Sequence, residues 1–364
     1  MTSRADFWIP RRASIALAAM AGLAALWGGL ARLGWGRSAW AGREVAWHGA
    51  LAALGFLGTL IAAERATALG RPWGFAAPLA SGFGALALLV LRSPTIGQVL
   101  SLAGALTLVA IFVVIYRLQP AVHNAVLGLG SVLWVVGVAL WIRGFAPYRV
   151  APWWAGLLVV IIVGERLELS RLTGTTDRAR RSFVASLALF VVGLVLSVPS
   201  FDLGMRVAGA GLTALALWLA RHDLARRTIR ATSLTRFMAA CLLSGYVWLG
   251  VGGILWLSFG GVIAGSGHDA MLHAVFVGFV ISMVFGHAPV ILPALLGGSI
   301  AYRPRFYAHL ALLHASLTLR VAGDLAVVPG AVRWGGLLNA VAILLFVAST
   351  AAARRRIKEV PVRV

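Results

Sequence analysis

Cysteine is almost absent from this 364-residue chain, acidic residues number 11 against 32 Lys and Arg, and only 12% of residues are charged. The single cysteine, Cys241, sits inside an apolar run. That excludes an intramolecular disulfide and a thiolate cluster for zinc or iron–sulfur, so any metal must be held by nitrogen, oxygen or methionine sulfur. With charge so sparse, 60% hydrophobic residues and a mean hydropathy of +0.91, the apolar surface exceeds what a water-soluble core can hide. The chain reads as an all-α polytopic membrane protein. Long linkers, low-complexity tracts and a soluble domain are also lacking, so residues 1–364 form one membrane domain. The net charge of +21 would suggest nucleic acid in a soluble protein, but here the arginines lie in short connections between apolar runs, where membrane topology explains them. Arg11 and Arg12 precede the first apolar run without a clear cleavage site beyond it, so this is read as an uncleaved first span.

Windows of membrane-spanning length place about twelve helices, near 14–34, 45–64, 73–91, 96–116, 121–142, 149–168, 182–199, 203–220, 235–257, 270–296, 306–326 and 333–352. An even number puts both termini on one side. The termini and the connections on their side carry more than twice as many Lys and Arg as the other side, which predicts both termini in the cytoplasm of a bacterial-type inner membrane. The basic connections around Arg178–Arg181 and Arg221–Arg236 are then available to anionic membrane lipid.

The tenth span, from His268 to Gly297, holds His268 and His273 at one end and His287 further in, ahead of Pro289 and Pro293. Histidine is costly in hydrocarbon and faces the bundle interior, so several on one span suggest a functional site. Gly278, Ser282 and Gly286 form a small-residue ridge that lets another helix pack closely. Each helical residue advances about 1.5 Å, which turns position into depth. His48 opens span 2 and His273 opens span 10, so both lie near the outer surface. Ala52, Gly55 and Thr59 run along the face of His48, and such a stripe would give a flat macrocycle clearance beside an axial ligand. His287 and His314 form an inner group at matched depth, roughly 21 Å further along the helix than His273. Two imidazoles with Met283 one turn before His287 would suit copper; an interhelical hydrogen bond between the two histidines is the competing account. Arg320 and Asp324 stand one turn apart near the outer depth, where an arginine pairs with a carboxylate or a propionate.

Other intramembrane polar residues are less specific. His123 and His309 read equally as interhelical hydrogen-bonding residues, and His222 as solvated. Glu64, Arg65, Glu165, Arg166 and Glu168 lie at the inner ends of spans 2 and 6, where they snorkel, pair with one another, or form a proton-uptake or quinol site. Trp47, Trp73, Trp141, Trp153, Trp154 and Trp256 near span ends read as interfacial anchors.

The segment HAVFVGFVISMVFGHA, the following span ending in LTLRVAGDL, and HGALAALGFLGTLI at the start of span 2 resemble the NnrS family of twelve-span membrane proteins associated with heme, copper and the response to nitric oxide. A more remote similarity is to the catalytic subunit of heme–copper oxidases, whose spans 2 and 10 hold a low-spin heme through outer histidines. The resemblance implies a bundle like that subunit, heme b on His48 and His273, Arg320 near the propionates, and copper as a further cofactor. It also implies a redox partner or quinol beside heme and lipid, and no nucleic acid; catalytic turnover stays open. Spans 6 and 7 contain no histidine and span 10 lacks a His-x-His pair. These departures argue against oxygen reduction, proton pumping and ordinary nitric oxide reduction. The alternative is a transporter or channel whose histidines and Glu165 line a proton or solute path, although no inverted repeat is visible.

Overall fold

The architecture comes from a computed structural model that describes residues 8–37, 39, 42–91, 93–170, 174 and 176–355. Twelve long helices fill it: α1 (Trp8–Arg32), α2 (His48–Leu69), α3 (Pro72–Val90), α4 (Thr95–Leu118), α5 (Val122–Ile142), α6 (Pro147–Ser170), α7 (Asp177–Leu196), α8 (Phe201–His222), α9 (Ser233–Phe259), α10 (Gly265–Leu296), α11 (Phe306–Leu325) and α12 (Pro329–Ala353). Eleven are long and apolar enough to cross a membrane, which makes the chain a multi-pass membrane protein. The exception is α11, whose two histidines, arginine and aspartate dilute its apolarity.

Contacts at the helix ends nevertheless show that α11 runs from one end of the bundle to the other. The connection after α10 meets the end of α12 in a short antiparallel pairing, Ser299–Ile300 against Arg354–Arg355. At the other end of the bundle Arg333 donates to Gly34 O (3.1 Å) and its guanidinium lies over Trp35, tying the start of α12 to the end of α1. The same alternation holds elsewhere. Arg206, near the start of α8, donates to Leu257 O and Ser258 O at the end of α9, and Arg166, near the end of α6, grips Asp223 just after α8.

Consecutive helices pack as antiparallel neighbours, and α6 forms the axis. Its most apolar stretch is 94% buried, and it touches both α2 and α10. Four of the six tryptophans expected at the membrane interface are instead buried: Trp141, Trp153, Trp154 and Trp256. An indole's large apolar area drives it into the core when neighbouring helices cover the span end. Trp141 meets Trp154 edge to face at a centroid separation of 5.3 Å and Trp47 at a tilt at 5.6 Å.

The small-residue ridge of α10 packs on α9 as expected. A Cβ on Gly278 would stand 2.5 Å from Trp248 Cβ, and one on Gly286 would stand 3.1 Å from Cys241 Cβ. The stripe under His48 has a different use from the one expected. A Cβ on Gly55 would meet Ala85 Cβ at 2.6 Å and Ala21 Cβ at 3.0 Å. The glycine brings α1, α2 and α3 together and opens no space for a macrocycle.

Two segments depart from α-helical winding. Leu51–Gly58 in α2 and Ala274–Ile281 in α10 are π-helical, eight residues each. Such widened turns are rare and concentrate at functional sites. One begins three residues after His48 and the other directly after His273.

Candidate functional site

The outer site is built from α1, α2, α10 and α11. His48 Nδ1 donates to Ala25 O at 2.6 Å, because Gly29 lets the ring lie against α1; a Cβ there would be 2.9 Å from His48 Cε1. His273 Nδ1 donates to Asp269 O at 2.8 Å. A carbonyl only accepts, so in each ring the proton sits on Nδ1 and Nε2 carries the free lone pair. This is how metal-binding histidines are held, the second nitrogen fixing tautomer and orientation.

The two rings belong to one electrostatic cluster. His48 interacts with Arg32, Arg320 and Asp269, and His273 with His48. Protein encloses His273 and Asp269, yet their side chains keep 17% and 29% of their surface accessible.

Arg320 has a carboxylate partner beyond the expected Asp324. It donates through Nε (3.0 Å) and Nη2 (2.8 Å) to Asp269 Oδ2, so its carboxylate partner lies on α10 and is not Asp324 alone. Asp269 therefore orients His273 through its carbonyl and holds Arg320 through its carboxylate. Asp324 lies in the same charge cluster, its side chain hydrogen-bonded with that of Asp269. Asp269, Ala25 and Gly29 could not be picked out from the sequence, because a carbonyl acceptor and a clearance glycine have no spacing signature.

The inner group is not assembled as expected. His287 Nδ1 donates to Met283 O at 2.7 Å, the same tautomer as the outer pair. The Met283 side chain packs onto Gly245 of α9. His314 takes the opposite tautomer: its Nδ1 accepts from Trp248 Nε1 at 2.9 Å, which leaves the proton on Nε2, a buried atom with no partner. His287 and His314 thus give their Nδ1 atoms to different partners, Met283 O and Trp248 Nε1, and not to each other. His309 is a structural histidine. It is 1% exposed, contacts Ser349 Oγ at 3.2 Å through Nδ1, and is ringed by Phe237, Phe285, Phe306 and Phe346.

His287 instead faces charge from α2, α6 and the end of α8, namely Glu64, Arg166 and Asp223. Arg65 bridges Glu64 (3.4 Å) and Glu165, and Arg166 is bidentate to Asp223 (2.7 and 3.1 Å). The carboxylates and arginines at the inner ends of spans 2 and 6 thus pair across helices and do not simply snorkel. No cluster of three or more His, Cys, Asp or Glu side chains able to hold a bare metal ion occurs among the described residues.

The model of a family described as a domain of unknown function, DUF8744, matches residues 11–355. The chain belongs to this family. No curated protein and no solved structure matches it.

Proposed function

We propose that this DUF8744 protein is an NnrS-like membrane hemoprotein of the bacterial inner membrane, acting in the nitric oxide response or redox stress, with heme b bound between α2 and α10. The observation that carries the reading is the pair His48 and His273. Each presents a free Nε2, each is anchored through Nδ1 on a carbonyl, and each adjoins a π-helical segment. The donor set suits a heme better than a bare ion, since the macrocycle supplies the equatorial nitrogens and asks the protein only for axial ones. Bound there, heme would supply one-electron redox chemistry.

The chain's own contribution is orientation and charge. Ala25 and Asp269 hold the imidazoles, and Arg320, fixed on Asp269, places a positive charge beside them. Protein purified from heme-replete cells is expected to show a low-spin Soret spectrum that His48→Ala and His273→Ala each abolish or convert to a five-coordinate form. Protein without a Soret band would end this reading.

A further inference from the structure

The arginine-rich end of the bundle holds a cavity of about 460 Å³ where the α8–α9 connection, the first turns of α9 and the start of α11 meet. Four hydroxyl residues line it, Thr232, Ser233, Tyr302 and Tyr307, together with Arg236 and the apolar Ile229 and Ala240. No carboxylate is among them. From Arg221 to Arg236 the chain carries five arginines and a single acidic residue, Asp223, which Arg166 already holds. Among the described residues Arg236 belongs to no ion pair. Thr232 makes no side-chain cap to α9, so the first amides of that helix keep their hydrogen-bonding capacity. An unpaired guanidinium and several hydroxyls with no competing carboxylate form a donor set suited to phosphate.

The sequence of α9 sets what lies beneath that donor set. Arg236, Ala240, Val247 and Ile254 recur at intervals of four and seven residues, so they share one face of the helix. Val247 and Ile254 are 65% and 54% exposed, which on a membrane-spanning helix is a face turned to lipid. Val247 stands roughly 16 Å along the helix from Arg236, and half of a hydrocarbon core is about 15 Å thick. A molecule seated by its phosphate on Arg236 therefore has an outward-facing apolar strip of acyl-chain length directly beneath it.

We propose that this cavity binds the phosphate headgroup of an anionic phospholipid, with the acyl chains lying on the strip formed by Ala240, Val247 and Ile254. Arg236 holds the phosphate oxygens through charge-assisted hydrogen bonds, and Thr232, Ser233, Tyr302 and Tyr307 supply hydroxyls to the phosphate and the headgroup. A soluble phosphate ester shares the headgroup chemistry but leaves the strip empty. Because the lining comes from both α9 and the approach to α11, a bound lipid ties these helices together, and α11 is the long helix with the least apolarity of its own. Nothing in the site depends on the outer histidines, so it stands or falls apart from the heme reading.

The test is native mass spectrometry of the full chain, delipidated in detergent and titrated with phosphatidylglycerol. Diacylglycerol serves as the lipid without its phosphate, and glycerol phosphate as the headgroup without its chains. Wild type is expected to bind phosphatidylglycerol in preference to diacylglycerol and to keep it in a large excess of glycerol phosphate. Arg236 is exposed and unpaired, so Arg236→Gln leaves the packing intact; it is expected to weaken phosphatidylglycerol binding about tenfold, the loss of a charged hydrogen bond. Arg178→Gln, an exposed arginine at the start of α7, is expected to leave binding unchanged. Equal binding by wild type and Arg236→Gln, an equal loss in Arg178→Gln, or equal retention of diacylglycerol would overturn the site. Displacement of the lipid by glycerol phosphate from wild type would overturn the lipid assignment in favour of a soluble phosphate ester.

Discussion

Whether an intramembrane histidine can bind a metal depends on which of its nitrogens is already committed. His48, His273 and His287 give Nδ1–H to carbonyls and leave Nε2 free; His314 accepts at Nδ1 and does not. Sequence gave all four the same standing, because depth is read from position but tautomer is set by the neighbour. Arg320 makes the same point. Its charge near the outer histidines was legible, but its partner Asp269 was not, since the two are 51 residues apart in sequence. If heme lies between His48 and His273, the Arg320 guanidinium beside it opposes the extra positive charge that oxidation adds to the iron and so disfavours the ferric state. Arg320→Ala is therefore expected to lower the heme potential, leaving the Asp269 carboxylate without its counter-ion. Redox titration of the variant against wild type measures this, and an unchanged potential would reduce Arg320 to a tie between α10 and α11.

Within each element, the features that mattered most were the least visible. The ridge Gly278, Ser282 and Gly286 was readable as a packing face because small residues at four-residue spacing have one physical use in a membrane helix. The similar stripe Ala52, Gly55 and Thr59 was read as clearance for a ligand, yet Gly55 is consumed in close contact with α1 and α3. Spacing alone cannot distinguish room for a helix from room for a cofactor. The two π-helical segments carry no sequence mark, since their residues are ordinary membrane-helix residues. Packing at Gly278 offers a direct test at this scale. Its missing Cβ makes room for Trp248, whose indole N–H reaches His314. Gly278→Val must displace that ring, and overpacking of this kind costs about 1–3 kcal/mol. The variant is expected to melt earlier in detergent, and adding Trp248→Leu is expected to restore part of the loss. Unchanged melting in the single variant would show that α9 and α10 are not held at this spacing.

At the scale of the whole molecule, the twelve-helix count was legible even though α11 is the poorest of the helices by composition, because parity and the arginine distribution constrained it. The structure supplies the missing ties: the connection before α11 meets the end of α12, while the connection after it meets the end of α1. Those ties fix which connections share a side, and the positive-inside bias makes the arginine-rich side the one expected in the cytoplasm. Cys241 is buried, which makes the wild-type chain a silent background for an impermeant maleimide. Single cysteines at Asp177, the first residue of α7, and at Arg303, between α10 and α11, are expected to label from the cytoplasmic side only. Cysteines at Ser93 and Ser200 are expected to label from the opposite side only. The Arg303 result carries the most weight, because α11 is the helix whose crossing rests on its end contacts and not on its apolarity. If cysteines at Arg303 and Ser200 label from the same side, the alternation of helices fails between α8 and α11, and with it the placement of the inner ion pairs and the outer histidines at opposite ends of the bundle.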